Sequence, residues 1–388
     1  MTSFANFQNE IYLAGAMGGT RPALPLAAAG LEARAAAELA PEVFAYVAGS
    51  ASNERTAAAN LAAFGRYRIV PRMWRGTLAA RDVSVEVLGT RLAAPVLTAP
   101  IGVQSLLHER GEAIVAEVAA ALGIGSVLST AASTPIEEVG AVAGDSWWFQ
   151  LYWPADDEVA RSFVERAEKA GAKAIVVTAD TPGMGWRPRD LELGHLPFLL
   201  GKGIANYLSD PVFRSRLQTP PEESDDALRM AVLTWVGMFG NHTIRPEHVA
   251  RLREWTSLPI AVKGVLHPDD ARAVVEAGAS GVVVSNHGGR QVDNSIAAID
   301  ALGPVVDAVG DRADVLFDSG IRSGADVMVA LALGARAVLY GRPWAYALGL
   351  AGADGVRHAL RALLGDFDQS MGLAGFGTVA ELNRQILR

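Results

Sequence analysis

The chain has 388 residues, half of them hydrophobic and a fifth charged, enough for one large domain or two ordinary ones with a well-buried core. A formal net charge of -8 without long single-sign runs argues against a nucleic-acid surface or an anionic membrane patch. The absence of cysteine excludes disulfides, thiolate metal sites and a cysteine nucleophile.

The first stretch, MTSFANFQNEIYLAGAMGG, lacks a basic segment followed by an apolar core. No stretch reaches the roughly 18 apolar residues of a membrane span, so a cytoplasmic location is expected. Residues 1–75 contain a helical pattern, GLEARAAAELAPEVFAYVAG, read as a helical cap on the domain that follows. From residue 95 onward, eight short apolar runs alternate with helical patterns: PVLTAP, GSVLST, WWFQLY, KAIVVTAD, LPIAVKG, GVVVSNHG, ADVLFDSG and RAVLYG. Between them lie stretches such as GEAIVAEVAAALG and DEVARSFVERAEKAG, with apolar residues at helical spacing and a terminal glycine that stops the helix. Continuous apolar strands separated by helices imply a parallel sheet covered on its faces. Eight such units predict a closed (β/α)8 TIM barrel of residues 76–181 and 245–388, within a single domain spanning 1–388. Residues 182–244 interrupt the rhythm after the fourth strand. A connection that long without its own structure is usually a functional lid or disordered, and its large apolar residues favour a lid.

Chemistry in such barrels sits at the C-terminal ends of the strands. Here those ends carry Pro100, Ile101 and Gly102, then Ser129, Gln150 with Tyr152, Thr178 with Asp180, Lys263, Ser285 with His287 and Arg290, Asp318 with Arg322, and Gly341 with Arg342. One such residue alone would be an ordinary loop polar group; eight consecutive strand ends converging on one rim are hard to read that way. Gly320, Gly324 and Gly341 allow close backbone approach, and Arg322 and Arg342 add positive charge, which suits a phosphate. The alternative is that these arginines pair with Asp318 and Asp326. Lys263 could form a Schiff base, stabilise negative charge or pair with a carboxylate. His287 could be a general base, a metal ligand or a core histidine. No second histidine stands at ligand spacing beside it, so no metal is expected, and the other six, His108, His195, His242, His248, His267 and His358, read as loop or surface residues. The dinucleotide-like GFGTVA follows no strand pattern, and neither a Walker A nor a nucleophile-elbow motif is present.

Taken together, SNHGGRQVD, FQLYWP, VVTADTPGMGWRPRD, LPIAVKG, DSGIR and GRPWAY resemble the FMN-dependent α-hydroxy-acid oxidases and dehydrogenases, from about residue 7 to the C-terminus. Through FQNEIY, APIG and the long GWRPRDL to SDPVF segment, the chain is most similar to the lactate 2-monooxygenase subgroup. The resemblance implies that Pro100, Ile101, Gly102, Ser129, Gln150 and Thr178 surround the flavin ring. It places Ser285, Asp318, Gly320, Arg322, Gly341 and Arg342 with the remaining cofactor-facing groups, and Lys263 beside the ring. It makes His287 the base, with Asp180 stabilising its imidazolium, and gives the substrate carboxylate and hydroxyl to Arg187, Arg290, Tyr46 and Tyr152. The glycine at Gly102 is expected to leave room for oxygen or peroxide. Ala131, Ala132, Met184 and the lid are candidates for the substrate's side-chain pocket. The implied reaction is oxidation of a small L-2-hydroxy acid, most simply L-lactate, with O2, followed by decarboxylation of the 2-oxo acid in a closed site. The alternative is an oxidase releasing 2-oxo acid and H2O2, or a quinone-linked dehydrogenase. A homotetramer or larger assembly is implied as well.

Overall fold

In a computed structural model, which describes residues 3–388, eight parallel strands close into a barrel. Two short strands come first: β1 (Val85–Val87) and β2 (Thr90–Leu92) form an antiparallel hairpin. The barrel strands follow as β3 (Val96–Thr98), β4 (Gly125–Ser129), β5 (Trp147–Leu151), β6 (Ile175–Thr178), β7 (Ile260–Val265), β8 (Gly281–Val284), β9 (Asp314–Phe317) and β10 (Ala337–Tyr340). Each pairs with the next, and β10 closes on β3. All eight apolar runs read from the sequence are therefore strands of one barrel.

Alternation along a strand divides its side chains between two cores. Leu97, Val127, Trp148, Val176, Ala261, Val283, Leu316 and Leu339, one from each strand, fill the interior as a cluster separate from the core between strands and helices. The hairpin belongs to that interior cluster through Val87, Leu88 and Leu92, and so plugs the barrel at its N-terminal end. Its two-residue turn puts Leu88 at φ 47° and Gly89 at φ 70°, a pair of left-handed conformations that matches the twist of a tight hairpin. Leu88 holds a conformation disfavoured for a branched side chain while its side chain is buried and its N–H donates to Asp314 Oδ2 at 2.8 Å.

Four helices precede the hairpin: α1 (Asn6–Gly18), α2 (Ala28–Glu38), α3 (Pro41–Ala48) and α4 (Arg55–Phe64). The pattern GLEARAAAELAPEVFAYVAG is two helices rather than one. Pro41 has no N–H to continue the first and occupies the first turn of the second.

The 182–244 insertion is also more regular than its sequence suggests. It contains five helical segments, Pro188–Glu192, Pro197–Leu200, Ala205–Leu208, Pro211–Arg214 and Asp225–Met238. They pack through stacked aromatics, with Phe198 and Trp235 ring centroids 5.1 Å apart and Trp235 and Phe239 at 4.9 Å. Its two ends meet closely: a Cβ on Gly240, which lies at φ 83°, would fall 2.4 Å from the Pro182 carbonyl oxygen. No helix among the described residues is long and apolar enough to cross a membrane.

Candidate active site

Advancing two residues from the interior apolar layer keeps the same face of each strand. The step leads from Val127 to Ser129, Trp148 to Gln150, Val176 to Thr178, Ala261 to Lys263, Val283 to Ser285, Leu316 to Asp318 and Leu339 to Gly341. The apolar interior thus changes within one layer into a hydrogen-bonded polar floor. Ser129 donates to Gln150 Oε1 at 2.9 Å, and Gln150 Nε2 donates to Thr178 at 3.0 Å. Across the barrel Lys263 Nζ donates to Ser285 at 3.1 Å and lies 3.3 Å from Asp318 Oδ2, while Ser285 donates to the other Asp318 oxygen. Burial disfavours a charged lysine, but Asp318 and Asp180 outweigh it and raise the Lys263 pKa.

Two residues further along their strands stand Tyr152, Asp180 and His287. The register of β7 shifts between Lys263 and Val265, and the residue between them, Gly264, has φ 100°. A Cβ there would lie 2.5 Å from the Asp180 carboxyl carbon, so the glycine makes room for this carboxylate. Asp180 Oδ1 is 2.9 Å from His287 Nδ1. Thr181 Oγ1 donates to the same carboxylate oxygen at 2.9 Å. Burial resists ionisation of Asp180, yet His287 and Lys263 prevail and hold its pKa at about 2. Burial lowers the His287 pKa; Asp180 opposes that shift and the Lys263 cation reinforces it. The imidazole is consequently neutral near pH 7, with Nδ1 toward a carboxylate and Nε2 3.5 Å from the Tyr152 hydroxyl. His287 has φ 58°, a left-handed conformation uncommon for a residue with a side chain and characteristic of functional sites.

Two guanidinium groups share the cavity with His287. Arg290 donates to the Gly49 carbonyl at 2.6 Å and lies over the Tyr46 ring, 5.6 Å from its centroid. Arg187 donates to the Arg290 carbonyl at 3.3 Å and to Gln291 Oε1 at 3.1 Å. Burial and the neighbouring Arg290 lower the Arg187 pKa to about 10. Neither side chain has a carboxylate within ion-pair distance among the described residues, so the pair can accept an anion. Burial also raises the Tyr46 hydroxyl to about 12 and shifts Tyr152 upward, keeping both available as hydrogen-bond donors.

A second cationic region lies along the same cavity. Arg342 donates only to uncharged partners: the carbonyls of Val47, Gly288 and Gly49 and the Ser50 hydroxyl. Burial, with Arg290 nearby, depresses its pKa to about 10. Arg322 donates to its neighbour's carbonyl, and Asp326 accepts from the main-chain N–H of Arg322 and Ser323 rather than from the guanidinium. The alternative of structural ion pairs with Asp318 and Asp326 thus fails, since Asp318 pairs with Lys263. Two arginines without carboxylate partners among the described residues, beside Gly320 and Gly341, form a donor set suited to phosphate. Together with the Pro100–Gly102 main chain and the polar floor, they fit FMN.

Of the residues picked from the sequence, Tyr46, Pro100, Ile101, Gly102, Tyr152, Arg187, Lys263, His287, Arg290, Asp318, Gly320, Arg322, Gly341 and Arg342 line one cavity. Ser129, Gln150, Thr178 and Ser285 form its buried floor, and Asp180 lies behind His287. Ala131 and Met184 line the cavity with Phe198 and Phe239 from the insertion; Ala132 does not. A Cβ on Gly102 would lie 2.9 Å from both the Cβ and the carbonyl oxygen of Ala131, so the close approach of that neighbour favours a glycine here. One expectation, that for Gly324, requires correction. A Cβ on Gly324 would strike the main chain of Phe367 at 2.2 Å, so this glycine serves helix packing rather than phosphate approach. Sequence reasoning also missed Gly264, Thr181 and Gln291. Gln291 Nε2 donates to the carbonyls of Asp180 and Gly183 and so ties the histidine loop to the start of the insertion. It stands beside Arg290 in SNHGGRQVD, but nothing in its residue type marked it.

Residues 35–388 match the family model described as FMN-dependent dehydrogenase. The chain is 42% identical over its full length to an FMN-dependent alpha-hydroxy acid dehydrogenase, qulF, of Penicillium citrinum, covering 96% of that protein. It is 38% identical to an L-lactate oxidase of Lysinibacillus sphaericus, over 92% of this chain and 91% of the relative. A crystal structure of mandelate oxidase with (S)-4-hydroxymandelic acid superposes with TM-score 0.83 at 40% identity, over 94% of this chain and 98% of the other. A TIM barrel whose polar mouth fits FMN, matched along its length by relatives of this kind, places the chain in the FMN-dependent dehydrogenase family, among the α-hydroxy-acid oxidoreductases.

Proposed function

We propose that the chain oxidises an L-2-hydroxy acid with an apolar side chain to its 2-oxo acid, with O2 consumed and H2O2 released. The observation that carries this reading is His287, its Nδ1 held 2.9 Å from Asp180, in one cavity with two arginines that have no carboxylate partner among the described residues. Arg187 and Arg290 hold the substrate carboxylate, because a planar guanidinium can make two parallel hydrogen bonds to it. Tyr46 and Tyr152 donate to the carboxylate and hydroxyl oxygens. His287 Nε2 accepts the hydroxyl proton, and the imidazolium so formed is stabilised by Asp180. FMN supplies the acceptor for the α-hydrogen. Lys263, buried and kept charged by Asp318 and Asp180, provides a fixed cation beside it. Ser129, Gln150, Thr178 and Ser285 orient the cofactor-facing floor, and Arg322 and Arg342 take the phosphate.

The side-chain end of the substrate meets Ala131, Met184, Phe198 and Phe239, all apolar. That lining favours an alkyl or aryl group over a charged one, and relatives named for lactate and for mandelate span this range. Release of peroxide is the first reading, because both of these relatives are named oxidases. Decarboxylation before release, giving acetate, CO2 and water from lactate, is the second. It is favoured by the roof of Met184, Phe198 and Phe239, which would retain both products at high effective concentration. Aerobic turnover without catalase separates the two. Equimolar peroxide and 2-oxo acid support release, whereas the acid one carbon shorter with little peroxide supports decarboxylation. An FMN-loaded protein that no 2-hydroxy acid reduces without air would contradict both. A homotetramer or larger assembly in the cytoplasm completes this reading, and sedimentation velocity tests the assembly.

A further inference from the structure

Of the described residues that carry a side chain and lie at positive φ, Ser319 stands at the largest value, 81°. It is buried just past the end of β9 and precedes Gly320, at φ 116°, where a Cβ would fall 2.6 Å from the Asn60 carbonyl oxygen. Glycine is needed at the second of these positions and would relieve the first, yet the first holds a serine, whose Cβ is disfavoured in this region. The proposed reaction gives Ser319 no role.

Its hydroxyl accounts for the serine. Ser319 Oγ donates to Asp318 Oδ1 at 2.7 Å and accepts from the main-chain N–H of Gly288 at 2.9 Å and of Asn286 at 3.3 Å. One donor and two acceptor lone pairs are all that a hydroxyl has, so its capacity is used within the protein. The two N–H groups that it binds belong to the residues on either side of His287. The His287 N–H donates to Ser285 Oγ at 3.0 Å, and that of Gly289 to Asn286 Oδ1 at 3.0 Å. Every main-chain N–H from Asn286 to Gly289 therefore meets a side-chain oxygen, and Ser319 supplies it for two of the four. The hydroxyls of Ser285 and Ser319 both end on Asp318 Oδ1, and the other oxygen of that carboxylate faces Lys263. The segment so held needs support. His287, Gly288 and Gly289 lie at φ 58°, 65° and 79°, and a left-handed run of that length is disfavoured unless its surroundings hold it.

We propose that Ser319 is a positioning residue for the base: its hydroxyl fixes the main chain on both sides of His287 and so keeps the imidazole in line with Asp180 and with the substrate hydroxyl. The inference rests on the reaction proposed above. Ser319 takes no part in the proton transfer and acts through His287.

Two variants separate the hydroxyl from the strain. Ser319→Ala removes the hydroxyl and keeps a Cβ at positive φ, whereas Ser319→Gly removes both. The measurement is the limiting rate of anaerobic flavin reduction at saturating lactate or mandelate, counted per FMN-bound molecule, with the FMN dissociation constant and the melting temperature taken on the same proteins. In both variants the limiting rate should fall roughly 10- to 100-fold, the scale on which a small misplacement of a reacting group acts. The FMN dissociation constant should stay within about threefold, because the Ser319 hydroxyl has no hydrogen bond left to give. Ser319→Gly should melt no lower than Ser319→Ala, since it sheds the strain. A slow variant that is stable and fully loaded is a result that a merely structural serine cannot produce. If Ser319→Ala fails to fold, Ser319→Gly carries the test alone. A wild-type limiting rate in a loaded variant overturns the positioning role, and so does a loss confined to FMN binding, which would give the hydroxyl to the cofactor. An FMN-loaded wild type that no 2-hydroxy acid reduces would instead overturn the proposed reaction, and the role of Ser319 with it.

Discussion

The two ends of the barrel are built from the same eight strands and serve opposite purposes. At the N-terminal end, the hairpin buries Val87, Leu88 and Leu92 in the interior apolar layer, and the Trp148 indole N–H donates to Thr90 at 3.0 Å. One layer past that apolar core, the strands turn polar and the cavity gathers Lys263, His287, Arg187, Arg290, Arg322 and Arg342. Each end holds a residue with a side chain in the left-handed conformation, Leu88 at φ 47° and His287 at φ 58°. At Leu88 the strained turn delivers an apolar side chain to the interior. At His287 it delivers an imidazole to the cavity. The plugged end therefore holds the fold, and the open end spends stability on unpaired cations and strain to hold the site.

Substitutions at the two ends should separate these contributions. His287→Ala has the largest expected effect, a fall of roughly 10²–10⁴ in the rate of flavin reduction from loss of a positioned base, with the melting temperature unchanged or slightly raised. Stopped-flow absorbance of the anaerobic reaction measures it, and reduction at the wild-type rate would remove His287 from the mechanism. Leu92→Ala should do the reverse. A fully buried leucine truncated to alanine costs about 2–5 kcal/mol, seen as a lower midpoint in denaturant titration, while turnover per folded molecule stays near wild type. Arg290→Lys should lower kcat/KM by roughly 10- to 100-fold, the loss of about 1.5–3 kcal/mol for a charge-assisted hydrogen bond that a point charge cannot replace. Its stability should change little. Thr90→Val, which leaves the buried Trp148 N–H unpaired, has the smallest effect, about 1–3 kcal/mol of stability with no change in KM. A loss of activity in Thr90→Val beyond its loss of folded protein would blur the division between the ends.

The open end was far more legible in the sequence than the plugged one. Recurring apolar runs, helix-stopping glycines and a polar residue at almost every strand end are local patterns, and together they marked both the barrel and the rim. The hairpin escaped because its strands are three residues each and its turn is Leu88–Gly89 rather than the usual Asn-Gly or Asp-Gly. What made leucine acceptable there is tertiary: a buried place for its side chain and the Asp314 carboxylate for its N–H. Gly102 shows another limit of local pattern. Its missing Cβ was read as leaving room for oxygen or peroxide, whereas the neighbour that a Cβ would meet is Ala131, and a sequence does not say which residue lies opposite. Pairings between distant loops, such as Gln291 with the carbonyls of Asp180 and Gly183, were hidden for the same reason.

The most direct test of the account is the pH dependence of anaerobic flavin reduction, measured as the apparent second-order rate constant with a 2-hydroxy acid. The base must be neutral to accept a proton, and burial together with Lys263 lowers the His287 pKa below the usual histidine value of about 6.5. A neutral imidazole predominates above its pKa, so the rate should rise with pH through a midpoint below about 6.5 and stay level above it through neutral pH. In His287→Ala the remaining slow rate should lose that ascending limb. A rate that falls as the pH rises through this window, or an ascending limb that survives in His287→Ala, would contradict the assignment of His287 as the base.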